Sequence, residues 1–237
     1  PIPSRGLGDV YKRQKLASSG LDRVTVSLDA IEDEIVQDIS NSSISSNDII
    51  EGIKAALEHG LEVKVNTVII KNYNEHQIIP IIQRFSEMGV SVRFIEYMDV
   101  GGTKNWNPEQ VVFGDEIRTI IATRFGRLKP LKQQKYGEVA NRWSLSNGYE
   151  IGFIESISKP FCQSCTRARI SANGKLYTCL FSERGYDLKS LITMGADIKD
   201  LRDAVIALWR KRDDRYSELR TVQQVETNPV EMHFIGG

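Results

Sequence analysis

Glu62-Val-Lys-Val-Asn-Thr-Val-Ile-Ile70 alternates polar and β-branched residues over its first five positions and then turns apolar, which is the pattern of a strand rather than a helix. Lys64 lies between Val63 and Val65, so its side chain leaves the opposite face of the strand. If the valines pack against helices, Lys64 points to the other side, where an unpaired ammonium is costly without an anion. The plainer alternative is a surface lysine on an edge strand. Working outward, Arg23-Val-Thr-Val-Ser-Leu28 reads as a preceding strand. A polar helical stretch follows Asp29-Ala30. Asn47 and Asp48 then cap a helix with Ile49, Ile50, Ile53, Ala56 and Leu57 at helical spacing, closed by Gly60. Downstream, Ile78, Ile79, Ile82, Phe85 and Met88 mark a second helix closed by Gly89, and Val90-Ser-Val-Arg-Phe-Ile-Glu96 a third strand.

Strand and helix alternating at this period imply parallel strands with crossover helices, hence a barrel or a doubly wound sheet of the α/β class. Polar groups at the strand ends (Ser27, Glu96, Met98) and within the second strand (Lys64, Asn66) suggest a site at the carboxyl end of a barrel. No glycine-rich phosphate loop follows any strand, which argues against a dinucleotide-binding sheet. Three strands alone cannot close a barrel. Beyond Gly101-Gly102 comes an irregular segment with Trp106 and Pro108, then a helix from Asp115 to Arg124. Short strands at Arg142 to Leu145 and Tyr149 to Ile154, joined at Asn147-Gly148, read as a smaller second layer. A helix from Asp197 to Trp209 and an Arg-rich tail ending in Phe234-Ile-Gly-Gly237 complete the chain.

All three cysteines lie in one window, Cys162-Gln-Ser-Cys165 and Cys179. A CxxC turn lets two thiolates converge, and Arg169 to Cys179 reads as a hairpin with Asn173-Gly174 at its tip, returning Cys179 to the pair. A closed zinc site wants four ligands, and His59, His76 and His233 are distant in sequence. A four-iron cluster can be held by three cysteines, leaving one iron open. Zinc with a fourth ligand from elsewhere and unligated thiols stay as alternatives. A disulfide is the weakest reading, because the count is odd and a chain of 237 residues needs no staple.

Lys plus Arg and Asp plus Glu number 31 each, so no global field recruits nucleic acid or an acidic membrane, and any anion site must be local. No apolar run approaches a bilayer span and no signal-peptide pattern opens the chain. A reducing, cytoplasmic setting is expected. Residues 1–14 show neither period and join abruptly onto a patterned chain, so they are expected to be non-native or disordered.

Pro160-Phe-Cys-Gln-Ser-Cys-Thr-Arg-Ala-Arg-Ile170, Asn173-Gly-Lys and Cys179-Leu-Phe181 resemble the carboxyl-terminal cluster motif of the radical S-adenosylmethionine GTP 3′,8-cyclases of molybdenum cofactor biosynthesis. Val24-Thr-Val-Ser-Leu-Asp29, Val63-Lys-Val-Asn-Thr67, Arg93-Phe-Ile-Glu-Tyr-Met98 and Gly236-Gly237 resemble it too, in the same order. The resemblance implies an incomplete βα barrel (residues 15–124 here, with its first units missing) and a carboxyl-terminal α+β layer, residues 125–237, carrying a [4Fe-4S] cluster and GTP. It implies cluster ligation by Cys162, Cys165 and Cys179. GTP binding would fall to Lys64, Arg167, Ala168 and Arg169, with S-adenosylmethionine contacts from Ser27 and Met98, and the Gly236-Gly237 tail would lie near the active site. On an extended strand Arg167 and Arg169 project from one face, where two forked guanidiniums suit a triphosphate.

The implied reaction uses a 5′-deoxyadenosyl radical to take the 3′ hydrogen of GTP, after which the ribose radical closes onto guanine C8. The product, 3′,8-cyclo-7,8-dihydro-GTP, passes to cyclic pyranopterin monophosphate synthase. An electron donor is required, and a homodimer is compatible with the resemblance. The family's first cluster sits on a CxxxCxxC loop that this chain lacks, so the chain is expected to be an inactive fragment. Two other readings are another radical S-adenosylmethionine enzyme with auxiliary clusters, which would carry more cysteines, and a zinc-stapled binding module.

Overall fold

The structure, a computed structural model, describes residues 18–100, 106–219, 230 and 232–235. Residues 1–14 and Gly236-Gly237 lie outside the described residues. The chain divides into two compact units: Asn107–Lys159 with the described residues before Met98, and the described residues from Met98 to Trp106 with those from Pro160 on.

In the first unit, strands β1 (Arg23–Ser27), β2 (Glu62–Ile69) and β3 (Ser91–Glu96) pair in parallel. Helices α1 (Asp33–Ser40) and α2 (Ser46–Glu58) connect β1 to β2, and α3 (Ile78–Glu87) connects β2 to β3. Helix α4 (Gly114–Phe125) leads to β4 (Lys129–Pro130), β5 (Asn141–Ser144) and β6 (Glu150–Ile154). The sheet order is β1-β2-β3-β6-β5-β4, with β6 parallel to β3 and antiparallel to β5. The two strands expected to form a separate layer therefore extend the main sheet. Their hairpin was legible from Asn147-Gly148, where Gly148 takes φ +86°, but the partner of β6 lies about sixty residues upstream in β3. Lys64 is on an interior strand, which removes the edge-lysine alternative.

Val63, Val65, Ile69, Val92, Phe94, Ile151 and Phe153 are buried together with Ile53 of α2, Ile78, Ile82 and Phe85 of α3, and Ile117 and Ile121 of α4. The apolar face of each strand thus meets the crossover helices, as parallel strands require. Helix α2 is capped by Ser45 rather than by Asn47 and Asp48: the Ser45 hydroxyl accepts from Asp48 N–H while the Asp48 carboxylate accepts from Ser45 N–H. This is a capping box, so Asp48 occupies its third helical position.

In the second unit, Cys162–Ser164 is a single 3₁₀ turn. Strands β7 (Arg169–Ile170), β8 (Lys175–Tyr177) and β9 (Tyr186–Asp187) form an antiparallel sheet in that order. The hairpin turns at Gly174 with φ +80°, and a Cβ there would meet Lys189 Cβ at 2.7 Å, so only glycine fits. Helices α5 (Leu188–Thr193), α6 (Ile198–Arg210) and α7 (Tyr216–Leu219) follow, α6 opening on an Asp197/Asp200 capping box. Among the described residues no helix is long and apolar enough to cross a membrane.

Candidate functional site

The face of the first unit's sheet turned away from the helices carries a polar row. Parallel pairing places Ser27 beside Asn66, Asn66 beside Arg93, and Arg93 beside Gly152. Lys64 sits one step toward the amino end of β2, beside Thr25 and Ser91. It is half-buried and bridged to Glu62 at 2.7 Å. Arg93 is also half-buried, and among the described residues it has no ion pair of its own. Burial, reinforced by the field of Arg23, lowers its pKa. A Cβ at Gly152 would stand 3.0 Å from Arg93 Cγ, so the glycine makes the room that Arg93 occupies.

Lys64 and Arg93 line a cleft of about 440 Å³ with Ser91, Glu138, Arg142 and Tyr149, and its lining takes in the first residues of β2, β3 and β6. Its carboxylates are already committed, Glu62 to Lys64 and both Glu138 and Glu150 to Arg142, at 2.7, 3.2 and 2.8 Å. Arg93 is therefore the cation best placed to take an external anion. Sequence reading singled out Lys64 and passed over Arg93, although Arg93 sits between Val92 and Phe94 just as Lys64 sits between its valines. The same alternation would have found it.

At the carboxyl ends, Ser27 closes β1 with its side chain exposed, and the buried Asn66 Oδ1 has no hydrogen-bond partner among the described residues. Asp29 Oδ1 accepts from Val68 N–H at 2.7 Å, tying the end of β1 to β2. Burial raises its pKa to about 6, with that backbone bond opposing the shift. Glu96 ends β3 only 1% exposed. Its carboxylate accepts from Gly114 N–H (2.9 Å), from Ile157 and Ser158 N–H (both 2.8 Å), and from Ser158 Oγ–H (2.5 Å). Beside it Glu155, 2% exposed, accepts from Arg118 at 2.8 Å, Asn141 at 2.7 Å and Lys159 at 3.0 Å. Arg118 lies over the rings of Trp143 and Phe153, 4.9 Å from each centroid. These two carboxylates fix the turn that ends at Lys159, from which the chain passes to the cysteine window. The sequence places Glu96 at a strand end, but its partners come only with the fold.

In the second unit the three cysteines are free thiols, each half-exposed. Thr166, Ala168 and Ile170 are exposed while Arg167 and Arg169 are half-buried, so the two arginines share a face, although β7 begins only at Arg169. Arg167 lies 5.0 Å over the Phe161 ring and donates to Cys165 Sγ at 3.4 Å. Burial lowers the Arg169 pKa, and Arg167 adds to the effect. For Cys165 burial works upward, but the hydrogen bonds from Arg212 and Arg167 outweigh it and bring the thiol down to about 7. Cys179 is pushed up by burial, with Asp214 and Cys162 adding to the rise. Of these sulfurs it is Cys165 whose neighbouring guanidiniums favour the thiolate, while burial opposes it at Cys179. That donor set suits a group held by soft anionic sulfur. Among the described residues, no three His, Cys, Asp or Glu side chains gather tightly enough for a single metal ion. Met98 belongs to this same unit. The neighbouring Asp99 accepts from Tyr216 O–H at 2.6 Å, and Tyr216 stacks on Phe181, centroids 4.4 Å apart, two residues beyond Cys179.

The Radical SAM superfamily model matches residues 12–85, and the Molybdenum Cofactor Synthesis C model matches residues 90–218, more than half of the chain. The GTP 3′,8-cyclase of Staphylococcus epidermidis (strain RP62A) is 44% identical over 229 residues, covering 94% of this chain and 67% of the relative. That of Staphylococcus aureus (strain MRSA252) is 43% identical over the same span. The chain belongs to the GTP 3′,8-cyclase family. The first unit's mixed α/β architecture with a parallel sheet is consistent with the radical S-adenosylmethionine fold of that family. The first family model ends within α3 and the second begins just before β3, so the second one takes in the end of the parallel sheet as well as the cysteine window.

Proposed function

We propose that this chain is the GTP-handling part of a GTP 3′,8-cyclase of molybdenum cofactor biosynthesis, its first unit belonging to an incomplete barrel. Cys162, Cys165 and Cys179 would hold a [4Fe-4S] cluster with one open iron for guanine. The observation that carries this reading is the trio of free thiols, with Arg167 donating to Cys165 and sharing a face with Arg169. When bound, S-adenosylmethionine supplies the 5′-deoxyadenosyl radical that takes the 3′ hydrogen of GTP.

The chain's own residues bind and orient. Arg167, Ala168 N–H and Arg169 would take GTP phosphates on the second unit, and Arg93 with Lys64 would offer an anion site on the first. A forked guanidinium can grip two phosphate oxygens at once. Lys64 must give up Glu62 to join, whereas Arg93 has no ion pair among the described residues. Ser27 and Met98 would contact S-adenosylmethionine. Gly236-Gly237 would approach the active site, where a residue without a side chain passes closest to a ligand. With all three cysteines assigned to one group, no thiolate of this chain remains for a second cluster. We therefore expect no turnover from these 237 residues alone. The product would pass to a cyclic pyranopterin monophosphate synthase, and the electron would come from a separate donor.

The phosphate assignment is tested by titrating GTP into the anaerobically reconstituted chain and its Arg169→Ala and Arg93→Ala variants. Losing one charge-assisted pair is worth about 1.5–3 kcal/mol, so each variant should bind about ten- to hundredfold more weakly. Affinities equal to that of the parent chain in both variants would contradict it.

A further inference from the structure

Arg212, just past the end of α6, is a cation the cysteine window cannot avoid. Its side chain is only 10% exposed. Nε donates to Asp214 Oδ2 at 3.0 Å, one guanidinium face lies 4.9 Å from the Trp209 centroid, and Nη1 donates to the carbonyl oxygen of Cys165. The anion on one side and the indole on the other fix the guanidinium plane, so its third contact is set by the fold. Arg167 differs, since it reaches the Cys165 sulfur from only two residues along the same extended segment.

With Nε and Nη1 both spent on protein acceptors, Arg212 is poorly placed to grip a phosphate, unlike Arg167 and Arg169. What remains is its positive charge, held against the loop that carries Cys165 from 47 residues away in sequence. We propose that Arg212 is a tuning residue for the iron-sulfur cluster: it fixes the Cys165 loop and, by its charge, makes the reduced cluster easier to form. The proposal rests on the reading of Cys162, Cys165 and Cys179 as cluster ligands. Physically, the reduced cluster carries one more negative charge than the oxidised one, so a fixed cation nearby favours reduction, and local charge and hydrogen bonding at the sulfur ligands are among the levers that set such potentials. Trp209 and Asp214 then act as the supports that keep the cation in place, which gives the otherwise surface-lying indole a role.

The test uses the full chain, reconstituted anaerobically with iron and sulfide, as the parent sequence and as Arg212→Gln and Arg212→Lys. Iron and sulfide content, melting temperature and the cluster's midpoint potential, from a mediated reductive titration followed by electron paramagnetic resonance, are read for each. The expected result is parent-like iron content in all three. The Arg212→Gln midpoint should move to a more negative potential, and the Arg212→Lys midpoint should stay close to the parent's. An unchanged midpoint in Arg212→Gln at full iron content overturns the proposal. If Arg212→Gln melts like the parent but loses iron, Arg212→Lys decides: recovery of both iron and midpoint supports a role for the charge, and failure to recover them overturns it. A parent chain that takes up no iron would instead remove the cluster reading itself, an outcome distinct from either.

Discussion

Glu96→Ala is expected to destabilise the first unit by about 4–5 kcal/mol, the largest single-residue effect outside the apolar core. The carboxylate is fully buried and answers three backbone N–H groups and one hydroxyl, drawn from the start of α4 and the turn at residues 157–158. Removing it leaves three backbone donors without their acceptor, that of Gly114 buried and those of Ile157 and Ser158 part-buried, and an orphaned buried donor costs about 1–3 kcal/mol before the cavity is counted. It also removes an anion from the amino end of α4, where the helix dipole favours negative charge. Chemical denaturation of the parent and variant would show the loss directly. A change below about 1 kcal/mol would mean that the turn at Ser158 is held by other contacts. Glu96→Gln should fall between the two, since its one carbonyl oxygen can serve only part of the set.

The second large effect has the opposite sign. Asp29→Asn should stabilise the chain at pH 8 by up to about 3 kcal/mol, because a shift from 3.8 to about 6 is roughly two pKa units at 1.36 kcal/mol each. A carboxyl whose folded pKa is raised binds its proton more tightly in the native state. Stability from this group is therefore fully present below about pH 4, is lost as pH climbs toward 6, and stays lost above it. Asparagine keeps the Oδ1 acceptor for Val68 N–H and does not titrate, so the advantage of the variant should grow between pH 4 and 6 and then level off. Denaturation midpoints of both proteins from pH 4 to 8 check this. A variant less stable than the parent at pH 8 would show that the ionised carboxylate has a stabilising partner. A charge kept at such a cost, two residues beyond Ser27, is the kind that function retains.

Local periodicity carried much of this molecule into its sequence. The alternation of Val63, Lys64 and Val65 located β2 and its polar face, Gly60 and Gly89 marked helix ends, and Asn147-Gly148 located the β5–β6 hairpin. What a short window cannot encode is the partner across the sheet. Nothing near Ile151 says that it will lie beside Val92, so the hairpin reads locally as a separate layer. The cap of α2 was missed for a subtler reason: Ser45 and Asp48 exchange bonds as a pair, and the acidic member attracts attention while the hydroxyl ends the helix.

The site divides in the same way. Three cysteines at CxxC spacing with a hairpin return were legible because the ligands are local. The guanidinium of Arg212 reaches that loop only through the packing of the second unit, and the donors to Glu96 come from Gly114 and from about sixty residues downstream. Glu96 falls on the buried side of β3 with Val92 and Phe94, so alternation alone implied an enclosed carboxylate in need of donors. Which donors those are is a property of the fold.

The central claim, that the three cysteines hold a cluster whose open iron receives GTP, is met most directly by anaerobic reconstitution, iron counting and a GTP titration followed in the cluster's spectrum. About four irons per chain, with a spectral change on adding GTP that disappears in Cys179→Ala, is the predicted result. Zinc bound without iron, or a cluster whose spectrum ignores GTP, would contradict it.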